Sequence, residues 1–185
     1  MTPNTEETWL RLDEIDNAID SLQMARRALE SVNGPTRWKW AILGVHHALY
    51  GCAIAAVFGA DFRSVVEPRK NDEDYVISVQ RALKKAGDPD LMTRLGGRPL
   101  STTDDENRAI DRLVHEFRDG FEHFGAKSWS IHLPGMPQIL LHVISVVRRV
   151  GFDCGTVSFR RDDQRERLSF ELDQLELLLK GIMGA

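Results

Sequence analysis

Apolar residues recur along this chain mostly at steps of three and four, so the pattern predicts helices. The longest apolar run spans residues 36–58, TRWKWAILGVHHALYGCAIAAVF. Trp38, Ile42, Val45, Leu49, Cys52 and Ala56 form one stripe on it. Ala41, Gly44, Ala48, Gly51 and Ala55 form a second stripe, and all of these are small. A glycine inside a helix costs about 1 kcal/mol relative to alanine. Two of them in one seam point to the close approach of another backbone, so the run reads as the central helix of a bundle. A membrane span is the rival reading, since the length is about right. Lys39 near one end and His46 and His47 near the middle argue against it, because polar groups are expensive in lipid. No membrane partner is expected.

The other elements follow from caps and breakers. A first helix is expected from Thr5, capped there with Glu6 and Glu7 behind it, to the Asn33-Gly34-Pro35 breaker. Its stripe is Leu12, Ile15, Ile19, Leu22 and Leu29. A short connection makes it the antiparallel neighbour of the central helix. Residues 60–70 read as a loop. A helix capped by Asn71 or Asp72 is expected to reach Ala86, with Tyr75, Val76, Val79 and Leu83 on its apolar side. A short turn follows at residues 91–95. Thr103 and Glu106 stand three apart, as a capping box requires, and begin a helix that Gly125 ends. Ile110, Leu113, Val114, Phe117, Phe121 and Phe124 supply its apolar face. Pro137 opens a further helix, rich in Val and Ile, which Gly151 closes. In the tail, Val157 and Phe159 alternate, as do Leu168 and Phe170, which permits a short hairpin. Leu168, Leu172, Leu175, Leu179 and Ile182 fit a final helix from about Arg165. The expected fold is all-α: a single domain, a four-to-five-helix bundle with its core at about residues 5–151 and a C-terminal extension at 152–185.

Composition narrows the function classes. Lys and Arg number 24 and Asp and Glu 28, for a net charge of −4. Binding to nucleic acid must therefore use a local patch rather than a general positive field. The two cysteines, Cys52 and Cys154, include one on the buried stripe, which fits a reduced thiol and a cytoplasmic setting. The acidic, polar start is not a signal peptide. Gly96-Gly97 lacks the spacing and the Lys-Ser or Lys-Thr of a phosphate loop. The six histidines show no His-x3-His pair and the cysteines no Cys-x2-Cys pair, so neither metal nor cofactor is expected.

The constellation with chemical content is RDGFEHF, residues 118–124. A guanidinium binds phosphate through two parallel hydrogen bonds and stays charged. An imidazole titrates near neutral pH and can take or give a proton. On a straight helix Arg118 and His123 would diverge, and a kink near Gly120 would bring them together. A second Arg–His spacing, Arg108 with His115, lies in a regular helix, and Arg108 is not followed by Asn, Asp or His. His46 and Tyr50, one turn apart on the central helix, are an auxiliary pair that could line the same cleft. Equally, they read as a buried histidine and tyrosine satisfied by hydrogen bonds.

An all-α bundle in which Arg is followed by Asp and then, after three further residues, by His resembles the HEPN domain. RWKWAILGVHHALYGCA also resembles helices of bacterial HEPN-like proteins. The resemblance covers about residues 10–151 and leaves the tail outside. It implies a metal-independent endoribonuclease of a toxin–antitoxin or phage-defence system, working as a homodimer with the motif lining a shared cleft. Arg118 would hold the scissile phosphate, His123 would act as general acid or base, and Asp119 would orient one of them. RNA is then the substrate, and an antitoxin or other protein a partner. The alternative is a non-catalytic helical dimer that binds a protein partner or a nucleotide, which the acidic balance favours.

Overall fold

The computed structural model describes residues 10, 12–31, 34–59, 61–68, 74–122 and 130–184. Helix α1 is Glu14–Ser31 and α2 is Arg37–Phe58. A 3-10 turn at Phe62–Ser64 leads into a minimal antiparallel hairpin, β1 (Val66–Pro68) with β2 (Asp74–Val76). Then come α3 (Val79–Ala86), α4 (Pro89–Arg94) and α5 (Asp104–Asp111). Helix α5 runs on without a break as a π-helical stretch, Arg112–Arg118, and a last turn, α6 (Asp119–Glu122). Helix α7 (Met136–Arg148) likewise widens into a π stretch, Arg149–Asp153, and α8 is Gln164–Gly184. The fold is an all-α bundle.

The small stripe of α2 does what its composition implies. A Cβ on Gly44 would overlap the Ser21 carbonyl oxygen and sit 2.9 Å from the Ala25 Cβ. A Cβ on Gly51 would lie 2.7 Å from the Glu14 carbonyl oxygen. Helix α1 therefore lies against α2 almost backbone to backbone. Helices α3 and α7 and the two π stretches cover most of the rest of α2, which is why it is apolar nearly all round. Among the described helices α2 alone is long and apolar enough to cross a bilayer, and 67% of that window is buried in the bundle.

The start of α1 differs from expectation. Leu12 and Asp13 are not helical, and Leu12 is exposed rather than part of the stripe. Asp13 Oδ1 accepts from the backbone N–H groups of Ile15 and Asp16, at 3.0 and 2.8 Å, and so caps the helix. Thr5 lies outside the described residues. The helix expected before Ala86 also divides. Tyr75 and Val76 sit exposed in β2, and Ser78 caps the shorter α3. The expected loop at 60–70 contains the 3-10 turn and β1, and the expected turn at 91–95 is the end of α4.

Thr103 and Glu106 form the reciprocal capping box their spacing predicts. Gly151 does not stop α7, because the chain passes through it in the π stretch. Its missing side chain leaves room for Leu168, 3.3 Å from where a Cβ would stand. The tail forms no hairpin. Residues 155–159 are irregular, and α8 buries Leu168, Leu172, Leu175 and Leu179 completely against α1 and α7.

Both π stretches have a physical reason. Leu113 and Phe117 are buried four apart across the first, with Phe121 packed against the core after them, and Val147 and Gly151 are buried four apart across the second. On a straight α-helix each such step drifts about 40° around the axis. A wider turn cancels the drift and keeps each row on the core.

Candidate functional site

The π stretch presents Leu113, Val114 and Phe117 to the core and turns its charged residues to the surface. At its end Arg118 Nη1 donates to Asp119 Oδ1 at 2.8 Å, with the two side chains 32% and 37% exposed. The other Asp119 oxygen lies 3.9 Å from His115 Nδ1, one turn back. His115 Nε2 stands 3.1 Å from the amide nitrogen of Gln80 on α3 and 3.7 Å from Asp111 Oδ1. If Gln80 donates through its amide, Nε2 accepts. The ring proton is then on Nδ1, facing Asp119. One carboxylate thus lies between a guanidinium and an imidazole.

Helix α2 carries the other two candidates, His46 and Tyr50. Tyr50 is half-buried, and its phenol donates to the Ile77 carbonyl at 2.7 Å. Burial pushes the phenol's pKa above its ordinary value, while the nearby Arg118 charge pulls against that rise. His46 is buried one turn before Tyr50, its ring centroid 6.4 Å from the tyrosine's and 5.7 Å from that of His47. His47 and Tyr50 line an open groove of about 430 Å³ with Glu14, Asn17, Ile54 and Val76.

Arg118 and Asp119 are thus paired, and the Arg118 charge reaches the Tyr50 phenol on α2, with His46 one turn before that tyrosine. His123 lies outside the described residues. The departure from α geometry falls at residues 112–118, before Gly120 rather than at it. Arg108 is exposed and ion-paired to Asp105, so it takes no part in the contacts of His115. Arg37 lies over the Trp38 ring at 5.4 Å. Two residues joined to the cluster fall outside the Arg118 motif: His115, whose spacing pattern pairs it with Arg108, and Gln80, which carries no such signal. They meet where Gln80 of α3 reaches the π stretch, 35 positions on in sequence. The four-step spacing of Asp111, His115 and Asp119 places the three on one helical face and is legible in the sequence.

Among the described residues no three His, Cys, Asp or Glu side chains are grouped so as to hold a metal ion. The two thiols are buried, and burial pushes that of Cys52 up to about 12. Chemically, the cluster offers a fixed positive charge for an anion, a carboxylate that orients, and an imidazole for proton transfer. No protein-family model, no curated protein and no solved structure matches this chain.

Proposed function

We propose that this chain is a HEPN-like endoribonuclease that needs no metal. Arg118 binds the scissile phosphate and stabilises its developing charge. An imidazole takes the 2′-hydroxyl proton, the 2′-oxygen attacks phosphorus, and the bond to the 5′-oxygen breaks. The leaving oxygen takes up a proton, and a 2′,3′-cyclic phosphate results. The supporting observation is the Arg118–Asp119–His115 arrangement at the end of a π turn, an irregularity common at functional sites. The family resemblance gives the imidazole role to His123, and His115, 3.9 Å from Asp119, is the second candidate for it. Asp119 orients the ring or the guanidinium. Two copies form the working unit, in the cytoplasm.

The test is cleavage of single-stranded RNA in excess EDTA, with the product ends identified. Wild type should cut and leave cyclic phosphate. Arg118→Ala should lose at least about a hundredfold in rate, the lower range for a group acting in the transition state. His115→Ala and His123→Ala should separate, the true acid–base residue losing about 10²–10⁴. An intact substrate with wild type, or an undiminished rate in Arg118→Ala, removes the nuclease assignment.

A specific observation favours the second reading, a non-catalytic dimer. The charge of Arg118 is already balanced by Asp119, and Phe170, Leu177 and Met183 stand exposed along α8. Under that reading Leu177→Glu makes the protein monomeric in sedimentation, and Arg118→Ala changes nothing in RNA.

A further inference from the structure

In this acidic chain α3 concentrates positive charge, with three cations in eight residues. Helix α3, VQRALKKA, carries Arg81, Lys84 and Lys85 and no carboxylate of its own. Its apolar side buries Val79, Ala82 and Ala86, so the cations are left on the outer side. Two grooves run along it. One, of about 830 Å³, is lined by Ser78, Arg81, Lys84 and Lys85 among others. Its neighbour, of about 370 Å³, is lined by Leu83, Leu100 and Asn107. Gln80 and Lys84 face both. Through Gln80 this helix touches His115, and through Asp119 that contact continues to Arg118.

The cations are not equivalent. Lys85 Nζ donates to the Ser64 carbonyl at 2.5 Å and holds the 3-10 turn in place. Arg81 pairs with Glu67, but the arginine side chain is 59% exposed. An exposed pair of this kind contributes little and can be traded for a phosphate. Lys84 is exposed and makes no ion pair among the described residues. Asp88 and Asp111 are the opposing charges on the groove walls. Gln80 and Lys84 are one helical turn apart, about 6 Å along the axis. A dinucleotide has a single phosphodiester, which Arg118 takes, so only a longer strand has a further phosphate to reach Lys84.

We propose that the basic face of α3 holds the sugar–phosphate backbone of a single-stranded RNA and leads it to Arg118. This rests on the nuclease assignment and names where its substrate lies. Arg81 and Lys84 make the phosphate contacts. Gln80, at the junction, gives up its hydrogen bond to His115 when the strand arrives.

Two substrates and one ligand test it. The substrates are a dinucleotide, too short to reach Lys84, and an oligonucleotide that spans α3. The ligand is the same oligonucleotide with 2′-O-methyl sugars, which cannot be cut. Wild type should cleave the longer RNA at lower KM than the dinucleotide. Lys84→Ala and Arg81→Ala should erase that advantage and leave dinucleotide cleavage unchanged. Each should flatten the dependence of log binding constant on log salt for the methylated strand by about 0.7. Unchanged melting curves exclude misfolding. If both substrates are cut equally well, or the salt slope does not move, the α3 track is overturned while the nuclease assignment stands. If the methylated strand binds with the expected slope changes but neither substrate is cut, the track is upheld and catalysis at Arg118 is overturned. If nothing is bound or cut, both fall.

Discussion

Gly44→Ala and Gly181→Ala are the same chemical change on two helices, and the structure assigns them opposite signs. At Gly44 the new methyl would overlap the Ser21 carbonyl oxygen and stand 2.9 Å from the Ala25 Cβ and 3.2 Å from its backbone nitrogen. Two of these three neighbours are main chain, so no rotamer change relieves them, and α1 must move off α2. Overpacking of this kind costs about 1–3 kcal/mol, and backbone neighbours place Gly44 at the upper end. Helix propensity returns about 1 kcal/mol. The net expectation is a loss of about 2 kcal/mol, or about 4–8 °C in melting temperature for a chain of this size. At Gly181, on α8, nothing lies within 4 Å of the added atom. Propensity acts alone there, and its gain is under about 1 kcal/mol so close to the helix end. Circular dichroism melts of the three proteins in one buffer decide the matter. If Gly44→Ala melts at or above wild type, the backbone-to-backbone seam between α1 and α2 is wrong, and with it the reason given for the glycines of α2.

Three further outcomes are expected. Glu106→Ala removes the reciprocal cap of α5 and leaves the Arg149 guanidinium, on the π stretch after α7, without its carboxylate. Urea titration should show a loss of about 2–3 kcal/mol, the cap and the broken pair together. Burial alone would raise the pKa of Asp13 and Glu106. The backbone donors of Asp16 and Ile15 and the Gln164 amide outweigh that for Asp13, and Arg149 and Thr103 do so for Glu106. Both carboxylates therefore ionise below their ordinary range, and their stabilisation is complete above about pH 4.5. It should drain away as pH falls below about 4, so melts at pH 3 and pH 7 should differ, and the difference should shrink in Asp13→Asn. Cys52 and Cys154 are buried, and burial raises both thiols. Neither should react with a thiol reagent at pH 8 until the protein unfolds, and labelling of Cys52 in the folded state would show that its surroundings are open.

What could be read from sequence was whatever depends on neighbours in the chain. The Thr103–Glu106 cap closes within one turn, and the leucine row of α8 keeps one period, so both were legible. The seam of α2 was legible because glycine inside a helix asks for a reason. The start of α1 was not. Thr5 and Asp13 are equally good caps by type, and Asp13 is also bound by the Gln164 amide at 2.9 and 3.0 Å, from 151 positions away. Tyr75 and Val76 fit a helical row until β1 is found to pair with them. The site divided the same way. Arg118 and Asp119 stand out as a dipeptide, whereas the contact of His115 with Gln80 exists only once two helices are packed.

The wide turn at residues 112–118 contains a spare residue. A ring closed from i to i+5 takes one residue more than an α turn, so the excess is absorbed locally and the flanking helices keep their phase. Dropping one residue elsewhere in a helix would swing everything after it by about 100°. Dropping one here lets the helix tighten while Ile110 before it and Phe121 after it keep their seats. Excision within this turn is therefore a way to erase the alignment of imidazole, carboxylate and guanidinium in a protein that still folds.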